Sequence, residues 1–218
     1  RELYGGRHHL VASSLTDLGL LLDRARRPDD AERLLREAVE LLRATYPDGH
    51  PQLAGTLRFW AQVLEHLERF QEAEAPLRQA IALRRRFTGE NTIDVAMGEM
   101  DLAYALTMSG RYEESASLAR DAIRILQTEL GENNAMVFRA RTRLGDALRG
   151  EGNYAEAEPL LLASYGRFAI PNSVTRPWRA AALHALVRLY EAQGRTEDAA
   201  KYRGLLSSPS PQPTKTNP

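Results

Sequence analysis

The side chains of this sequence best suited to metal binding or proton transfer are its five histidines: His8, His9, His50, His66 and His184. His8 and His9 are adjacent, whereas a helix-borne metal pair needs ligands four residues apart and a third ligand. These two histidines and His50 fall in predicted linkers, where we expect a solvated imidazole. The spacing therefore predicts no metal site.

Paired carboxylates are the other candidates for acid–base chemistry, and they occur at Glu113 and Glu114 and at Glu156 and Glu158. All four lie at predicted helix starts, where acidic side chains interact favourably with the helix dipole. The sequence contains no GxSxG, Walker A or GxGxxG motif, and no HRD or DFG kinase motif. We therefore predict that the chain is not an enzyme and uses no cofactor.

Charge and composition limit the class of partner. Lys and Arg total 29, as do Asp and Glu, so the net charge is zero and gives no electrostatic reason to propose nucleic acid or an anionic membrane. The absence of cysteine excludes disulfides and thiolate zinc sites and fits a cytoplasmic location. The apolar runs are too short to span a membrane. Because the first residue is Arg1, we expect the sequence to begin inside a longer protein.

The dominant feature of the sequence is an internal repeat of 42 residues. One column of the repeat is Leu18-Gly19, Trp60-Ala61, Leu102-Ala103, Leu144-Gly145 and Leu186-Val187. A second column holds small residues: Ala31, Ala73, Ser115, Ala157 and Ala199. Within each copy, apolar residues recur at spacings of three and four, which marks one face of an α-helix. A turn such as Gly110-Arg111-Tyr112 separates two such stripes, so each copy predicts two antiparallel helices that approach closely at the small residues.

The sequence thus predicts an all-α fold, an α-solenoid of five antiparallel helix pairs. The first helices are predicted at 10–26, 51–68, 92–109, 134–150 and 176–193, and their partners at 29–45, 71–87, 112–130, 154–168 and 196–206. The array occupies 10–206, in repeats of about 10–50, 51–91, 92–133, 134–175 and 176–206. Residues 1–9 match the linker around Tyr46–Pro51 and are predicted to end a preceding repeat. Residues 207–218 lack apolar periodicity and are predicted to be a disordered tail.

These columns resemble the tetratricopeptide repeat (TPR), whose pattern includes a Leu-Gly or Leu-Ala pair, an aromatic residue and an alanine in the second helix. The long period is similar to that of kinesin-light-chain repeats. The resemblance covers about residues 10–206 and implies a scaffold that binds a peptide or a partner protein. The stretch Leu183–Leu206 also resembles the ends of bacterial serine/threonine protein kinases. The alternative function is therefore a C-terminal regulatory segment of a larger enzyme such as a kinase.

By this resemblance, the first helices line a concave groove in which the partner binds. The partner-binding positions that it implies are Arg58, Gln62, His66, Met97, Met100, Tyr104, Met108, Arg139, Thr142, Asp146, Arg149, His184 and Arg188. Met97, Met100, Tyr104 and Met108 form one stripe at spacings of three, four and four. The stripe predicts either an adaptable apolar binding pocket or a surface packed on a neighbouring repeat.

Three arginines flank this stripe: Arg58, Arg139 and Arg149. Because a guanidinium binds a carboxylate in two-point fashion, they favour an extended or helical peptide with one apolar anchor and acidic flanks. Acids of the same helices are alternative partners for these arginines: Asp23, Glu65 and Asp146.

Overall fold

Ten α-helices form the part of the chain that the computed structural model describes, residues 9–169, 172 and 174–207. They are α1 (His9–Arg24), α2 (Pro28–Thr45), α3 (Pro51–His66), α4 (Phe70–Thr88), α5 (Ile93–Met108), α6 (Tyr112–Leu130), α7 (Ala135–Gly150), α8 (Tyr154–Arg167), α9 (Arg176–Ala192) and α10 (Thr196–Ser207). No strand occurs among these residues, and the all-α prediction is confirmed. The predictions for residues 1–8 and 208–218 lie outside the described residues, whereas His9 and Ser207 are helical.

Three of the first helices start after an N-cap residue whose side chain accepts a hydrogen bond, and these residues occupy the same position of the repeat. Nδ1 of His50, Oγ1 of Thr92 and Oδ1 of Asn134 each accept a backbone N–H from the first turn, at 3.1, 3.4 and 2.9 Å. Each bond satisfies a donor that a helix N-terminus leaves without an intrahelical partner. His50 is also half-buried and stacked on Tyr46, with ring centroids 4.2 Å apart. The expectation of a merely solvated His50 is therefore wrong.

The turn inside each repeat contains one residue with positive φ, again at an equivalent position. The last three copies have Gly110, Gly152 and Gly194 there, with φ of 80°, 79° and 71°. The first two copies have Arg26 and Glu68 instead, with φ of 61° and 58°. Because only glycine adopts this region without steric cost, the first two turns carry a conformational penalty that the last three lack.

The chain divides into two compact units, residues 1–109 and residues 110–218. In the first unit, α1, α2, α3 and α4 each pack on the next helix along the chain, and α3 also contacts α1 and α5. In the second unit, α6, α7, α8 and α9 each pack on the next helix, and α7 also contacts α9. First helices therefore contact one another directly within each unit.

Glycines bring the helices of a pair close together, as the small-residue column predicts. A Cβ on Gly19 of α1 would lie 2.8 Å from Cγ of Leu35 in α2. A Cβ on Gly145 of α7 would lie 2.7 Å from Cγ and Cδ2 of Leu161 in α8. At both positions the leucine occupies the space that any larger residue would need.

Candidate peptide-binding surface

The methionine stripe of α5 is only partly exposed. Met100 is completely buried, with 0% exposure, whereas Met108 at the end of the helix is 42% exposed. Met97 and Tyr104 are half-buried. Ten of the 16 residues of α5 are buried, so the helix is covered on several sides and is apolar around most of its circumference. The pocket interpretation is therefore wrong at Met100, where the packing alternative holds.

The residues equivalent to Met100 in the first two repeats contact a neighbouring first helix. Thr16, the equivalent residue of α1, is buried with its hydroxyl oxygen 3.2 Å from that of Thr56 in α3. Arg58, the equivalent residue of α3, reaches Asp101 of α5. In the first two repeats this column thus faces a neighbouring first helix, with Thr16 buried and Arg58 half-buried.

Two more of the predicted contact residues are buried in α7. Thr142, in the same column as Met100, is buried and donates its hydroxyl hydrogen to the backbone carbonyl of Phe138 at 3.1 Å. Asp146 is buried one turn further along the helix. Both side chains are therefore shielded from solvent and bonded inside the fold, and their contact with a partner stays a prediction.

The charged residues predicted to meet a partner in the first unit are paired with acids of neighbouring first helices. Arg58 Nη1 donates to Asp101 Oδ2 at 3.2 Å and joins α3 to α5. His66 Nδ1 lies 2.7 Å from Asp23 Oδ1 and joins α3 to α1. Asp23 was one of the acids predicted to neutralise a cation, although its partner is a histidine. The Arg58–Asp101 pair reduces the cationic character of this surface.

A tighter charge cluster lies in the second unit, where Asp146 sits between two arginines. Arg149 Nε donates to Asp146 Oδ1 at 2.9 Å, and Arg188 donates from Nε to the same oxygen at 3.2 Å and from Nη2 to Oδ2. Burial acts to raise the pKa of Asp146, but Arg188 and then Arg149 outweigh it, so the pKa lies below the ordinary value of a carboxyl. Asp146 thus pairs with Arg149, as the sequence alternative predicted, and also with Arg188, so one negative charge is shared by two positive ones.

Three predicted contact residues remain outside these clusters. Gln62 on α3 and His184 on α9 are exposed. The guanidinium of Arg139 lies 5.9 Å from the ring centroid of Trp178, within the range of a cation–π contact. Gln62 and His184 are therefore accessible to a partner, and Arg139 is partly occupied by an aromatic side chain.

An open cleft of about 280 Å³ lies in the first unit between the end of α5 and the start of α4. Met108 and Ser109 form one side, and residues 68–72 form the other. Phe70 of this second side packs edge-to-face on Tyr104, with ring centroids 5.8 Å apart. The cleft therefore contains the exposed thioether of Met108 and the ring of Phe70, which Tyr104 holds in place.

Phe70 was not among the residues singled out from the sequence, although the repeat contains a signal for it. A shift of 42 places Phe70 in the same column as Tyr112, the aromatic of the Gly-Arg-Tyr turn. The same shift places Met108 in the column of Gly150. In the second unit the ring of Tyr112 fills the space beside Gly150, where a Cβ would lie 2.2 Å from Cδ1. A methionine at the position of Gly150 would clash with a ring placed as Tyr112 is. Phe70 therefore cannot cover Met108 in the way that Tyr112 covers Gly150.

The sequence matches family models described as tetratricopeptide repeat. One model matches residues 1–44, 24–86, 52–128 and 92–169, and a second matches residues 182–214. The chain belongs to the tetratricopeptide repeat family. No curated protein matches this TPR chain at a significant level.

Solved structures similar to this TPR chain include kinesin-light-chain-like repeats. A Podosopora anserina protein, described as a kinesin light chain with nearly identical TPR-like repeats, is 22% identical with a TM-score of 0.69, covering 91% of this chain and 94% of that chain. BtubC (BKLC) from P. vanneervenii is 17% identical with a TM-score of 0.68, covering 96% and 86%. A Rap protein complexed with Competence and Sporulation Factor is 18% identical with a TM-score of 0.73, covering 90% of this chain and 53% of that chain. These likenesses establish the TPR solenoid fold.

Two further features of the TPR chain concern metals and membranes. Among the described residues, no three His, Asp or Glu side chains are grouped closely enough to hold a metal ion. In the same part of the chain, no helix combines the length and apolar character needed to cross a bilayer.

Proposed function

We propose that this chain is a protein-interaction module that binds a peptide segment of a partner protein, and that the cleft beside Met108 receives one apolar side chain of that peptide. The observation that carries the proposal is the exposure of Met108 next to the Phe70–Tyr104 aromatic pair. Methionine adapts its shape to different ligands, and Met108 and Phe70 are the two apolar residues in a cleft whose other lining residues are polar or charged. The TPR fold itself is typical of protein-interaction scaffolds.

The charges around the cleft favour a peptide with neutral or basic flanks over the acidic flanks expected from the sequence. Arg69 at the rim donates to both carboxylate oxygens of Glu72 at 2.7 Å, and Arg58, which does not line the cleft, is bonded to Asp101. Glu68 adds a further negative charge to the lining. An acidic peptide would therefore gain no unneutralised arginine at this cleft and would be repelled by Glu68.

Short fluorescein-labelled peptides of Gly and Ser with a central Leu, Phe or Ser test the anchor directly by fluorescence anisotropy. Burial of one large apolar side chain stabilises a complex by about 1.5–3 kcal/mol, so we expect the Leu and Phe peptides to bind at least about tenfold more tightly than the Ser peptide. Met108→Ser removes the apolar wall and should abolish that preference. Companion peptides with Lys or Glu flanks test the charge argument, and Lys flanks should bind more tightly.

Phe87→Ser is the matched control, because Phe87 is similarly exposed and lies at the opposite end of α4 from the cleft. This variant should keep the preference for Leu and Phe. Equal binding of all three peptides would contradict the anchor, and equal loss in the Met108 and Phe87 variants would show that the cleft is not the site.

The alternative role as the C-terminal regulatory segment of a larger enzyme, such as a bacterial serine/threonine kinase, stays a prediction. None of the solved structures described above is a kinase, and no observation on the described residues favours it over an independent binding module.

A further inference from the structure

Arg179 is a buried arginine at a position where three earlier repeats have apolar residues. The shift of 42 aligns it with Leu53, Val95 and Val137, and all three are buried. Arg179 occupies the same place on α9 and is only 8% exposed. Because a guanidinium stays protonated in proteins, this position holds a full positive charge that is largely removed from water.

The surroundings of Arg179 supply an aromatic ring but no acceptor for its buried nitrogen. Nε of Arg179 is buried and has no hydrogen-bond partner within the described part of the chain. The guanidinium lies 6.0 Å from the ring centroid of Tyr165 in α8, at the limit of a cation–π contact. An aromatic ring attracts a cation without neutralising it, and a buried charge is costly unless it is paired. The side chain therefore favours an anionic partner.

The helices packed on α9 have no uncommitted acid near its start. The sequence has no Asp or Glu from 133 to 145, in the first half of α7, or from 159 to 190, in most of α8 and α9. The four acids that border these segments already form ion pairs: Glu132 with Arg141, Asp146 with Arg188, Glu158 with Arg195 and Glu191 with Arg203. The acids of α10 lie only in its first turn, which follows the end of α9.

Arg176 adds a second positive charge beside Arg179. It lies three residues earlier, in the first turn of α9, so the two side chains are neighbours on one side of the helix. Arg176 is exposed, and this turn contains no acid. Two cations in this arrangement repel each other, and a helix N-terminus further disfavours positive charge. An anion bound at the start of α9 relieves both effects.

We infer that Arg179 and Arg176 bind a phosphate group at the start of α9. A guanidinium donates two parallel hydrogen bonds to a phosphate, and the charge of about −1.5 to −2 on a phosphate group at neutral pH matches two arginines. The group is either free inorganic phosphate or the phosphoryl group of a phosphoserine side chain. The site lies within the second unit, so the inference is independent of the cleft beside Met108 in the first unit.

Trp178, the residue before Arg179, provides a local reporter when Trp60→Phe leaves it as the single tryptophan of the chain. We expect sodium phosphate at pH 7.5, titrated against sodium chloride of equal ionic strength, to change the Trp178 emission in a saturable way at millimolar concentration. The tripeptide glycyl-phosphoseryl-glycine distinguishes the two sources, with the unphosphorylated tripeptide as its control. Tighter binding than that of inorganic phosphate assigns the site to a phosphorylated peptide, and weaker binding assigns it to the free ion.

Three variants in the Trp60→Phe background locate the binding. Arg179→Leu should abolish the saturable response, and Arg176→Gln should weaken phosphate binding at least about fivefold, because each removes one of the two cations. Arg120→Leu is the matched control, since Arg120 is an exposed arginine of α6 in the same unit and is bonded to Glu156. This variant should bind phosphate as tightly as the parent. Because Arg176 is exposed, Arg176→Gln keeps the test valid if Arg179→Leu does not fold.

Thermal melting separates a ligand site from a structural arginine. In chloride, Arg179→Leu should melt at or above the temperature of the parent, because it replaces a buried charge with the residue type of Leu53. Phosphate should raise the melting temperature of the parent at least about 3 °C more than that of Arg179→Leu, and this difference removes the general stabilisation by phosphate. Equal phosphate shifts in the two chains, or no saturable Trp178 response in the parent, overturns the inference.

Discussion

Asp146 and Arg188 occupy the same position in successive repeats and form a direct ion pair between α7 and α9. Nε of Arg188 lies 3.2 Å from Oδ1 of Asp146, and Arg149 donates to the same oxygen at 2.9 Å. The carboxylate is buried, so two cations hold one charge that water does not reach. This arrangement makes Asp146 part of the structure of the second unit.

Asp146→Asn should lower the free energy of unfolding by about 2–3 kcal/mol, because it leaves two arginines without their counter-ion, one of them partly solvated. Urea denaturation at neutral pH measures the loss. Asp121→Asn is the control, since Asp121 forms an exposed 3.8 Å pair with Arg124 and should cost about 0.5 kcal/mol or less. Equal losses in the two variants would contradict the structural role of Asp146.

The same pair predicts a pH dependence with a defined sign. The pKa of Asp146 is lower in the folded chain than its ordinary value of 3.8. Its stabilising contribution is therefore fully present above about pH 4–5 and is lost as the pH falls through the lower, folded-state pKa. The difference in unfolding free energy between the wild type and Asp146→Asn should stay constant from pH 7 to about 5 and shrink below about 4. A difference that grew on acidification would contradict this assignment.

Met100→Glu should destabilise the chain by about 3 kcal/mol or more, because it places a carboxylate at a fully buried site. Met108→Glu should change the unfolding free energy by less than about 0.5 kcal/mol, since that side chain is exposed. Thermal melting of both variants provides the comparison. A melting temperature for Met100→Glu close to that of the wild type would restore the exposed-stripe interpretation.

Arg26→Gly should stabilise the first turn. A non-glycine residue at positive φ costs about 1–2 kcal/mol, and glycine loses about 0.5–1 kcal/mol more conformational entropy on folding, so the expected gain is about 0.5–1 kcal/mol. Arg33→Gly tests the opposite case inside α2 and should cost about 1 kcal/mol. Chemical denaturation of the two variants checks the contrast, and a loss of stability in Arg26→Gly would argue against the positive φ.

Gly145→Ala should destabilise by about 1–3 kcal/mol, because its Cβ would lie 2.7 Å from Leu161 and the two helices would have to separate. Gly166→Ala is the matched control, since Gly166 lies inside α8 with no atom within 4 Å of an added Cβ. There, alanine should stabilise by about 0.5–1 kcal/mol. Calorimetric melting of both variants distinguishes close packing from a general effect of glycine replacement.

The sequence by itself determined the helices and their order. Apolar spacing within each copy and the turn residues act over a few positions along the chain, so α3 was expected at 51–68 and is found at Pro51–His66. The close approach of Gly145 and Leu161 was also predictable, because both lie on the facing stripes of one helix pair. The helix positions and the close approach within a pair depend on residues of the same repeat, so they can be predicted without knowing how the repeats contact one another.

Only the tertiary structure decided which side chains a partner can reach. Met100 and Met108 have the same residue type and lie on the same side of α5, yet one is buried and the other exposed. The difference depends on which neighbouring helix covers each position, and Phe70 joins the cleft for the same reason. Likewise, the shift of 42 placed Asp146 and Arg188 in one column, but only the contact of α7 with α9 made them an ion pair. Exposure and pairing are properties of the assembled helices, because each depends on side chains that are distant in the sequence.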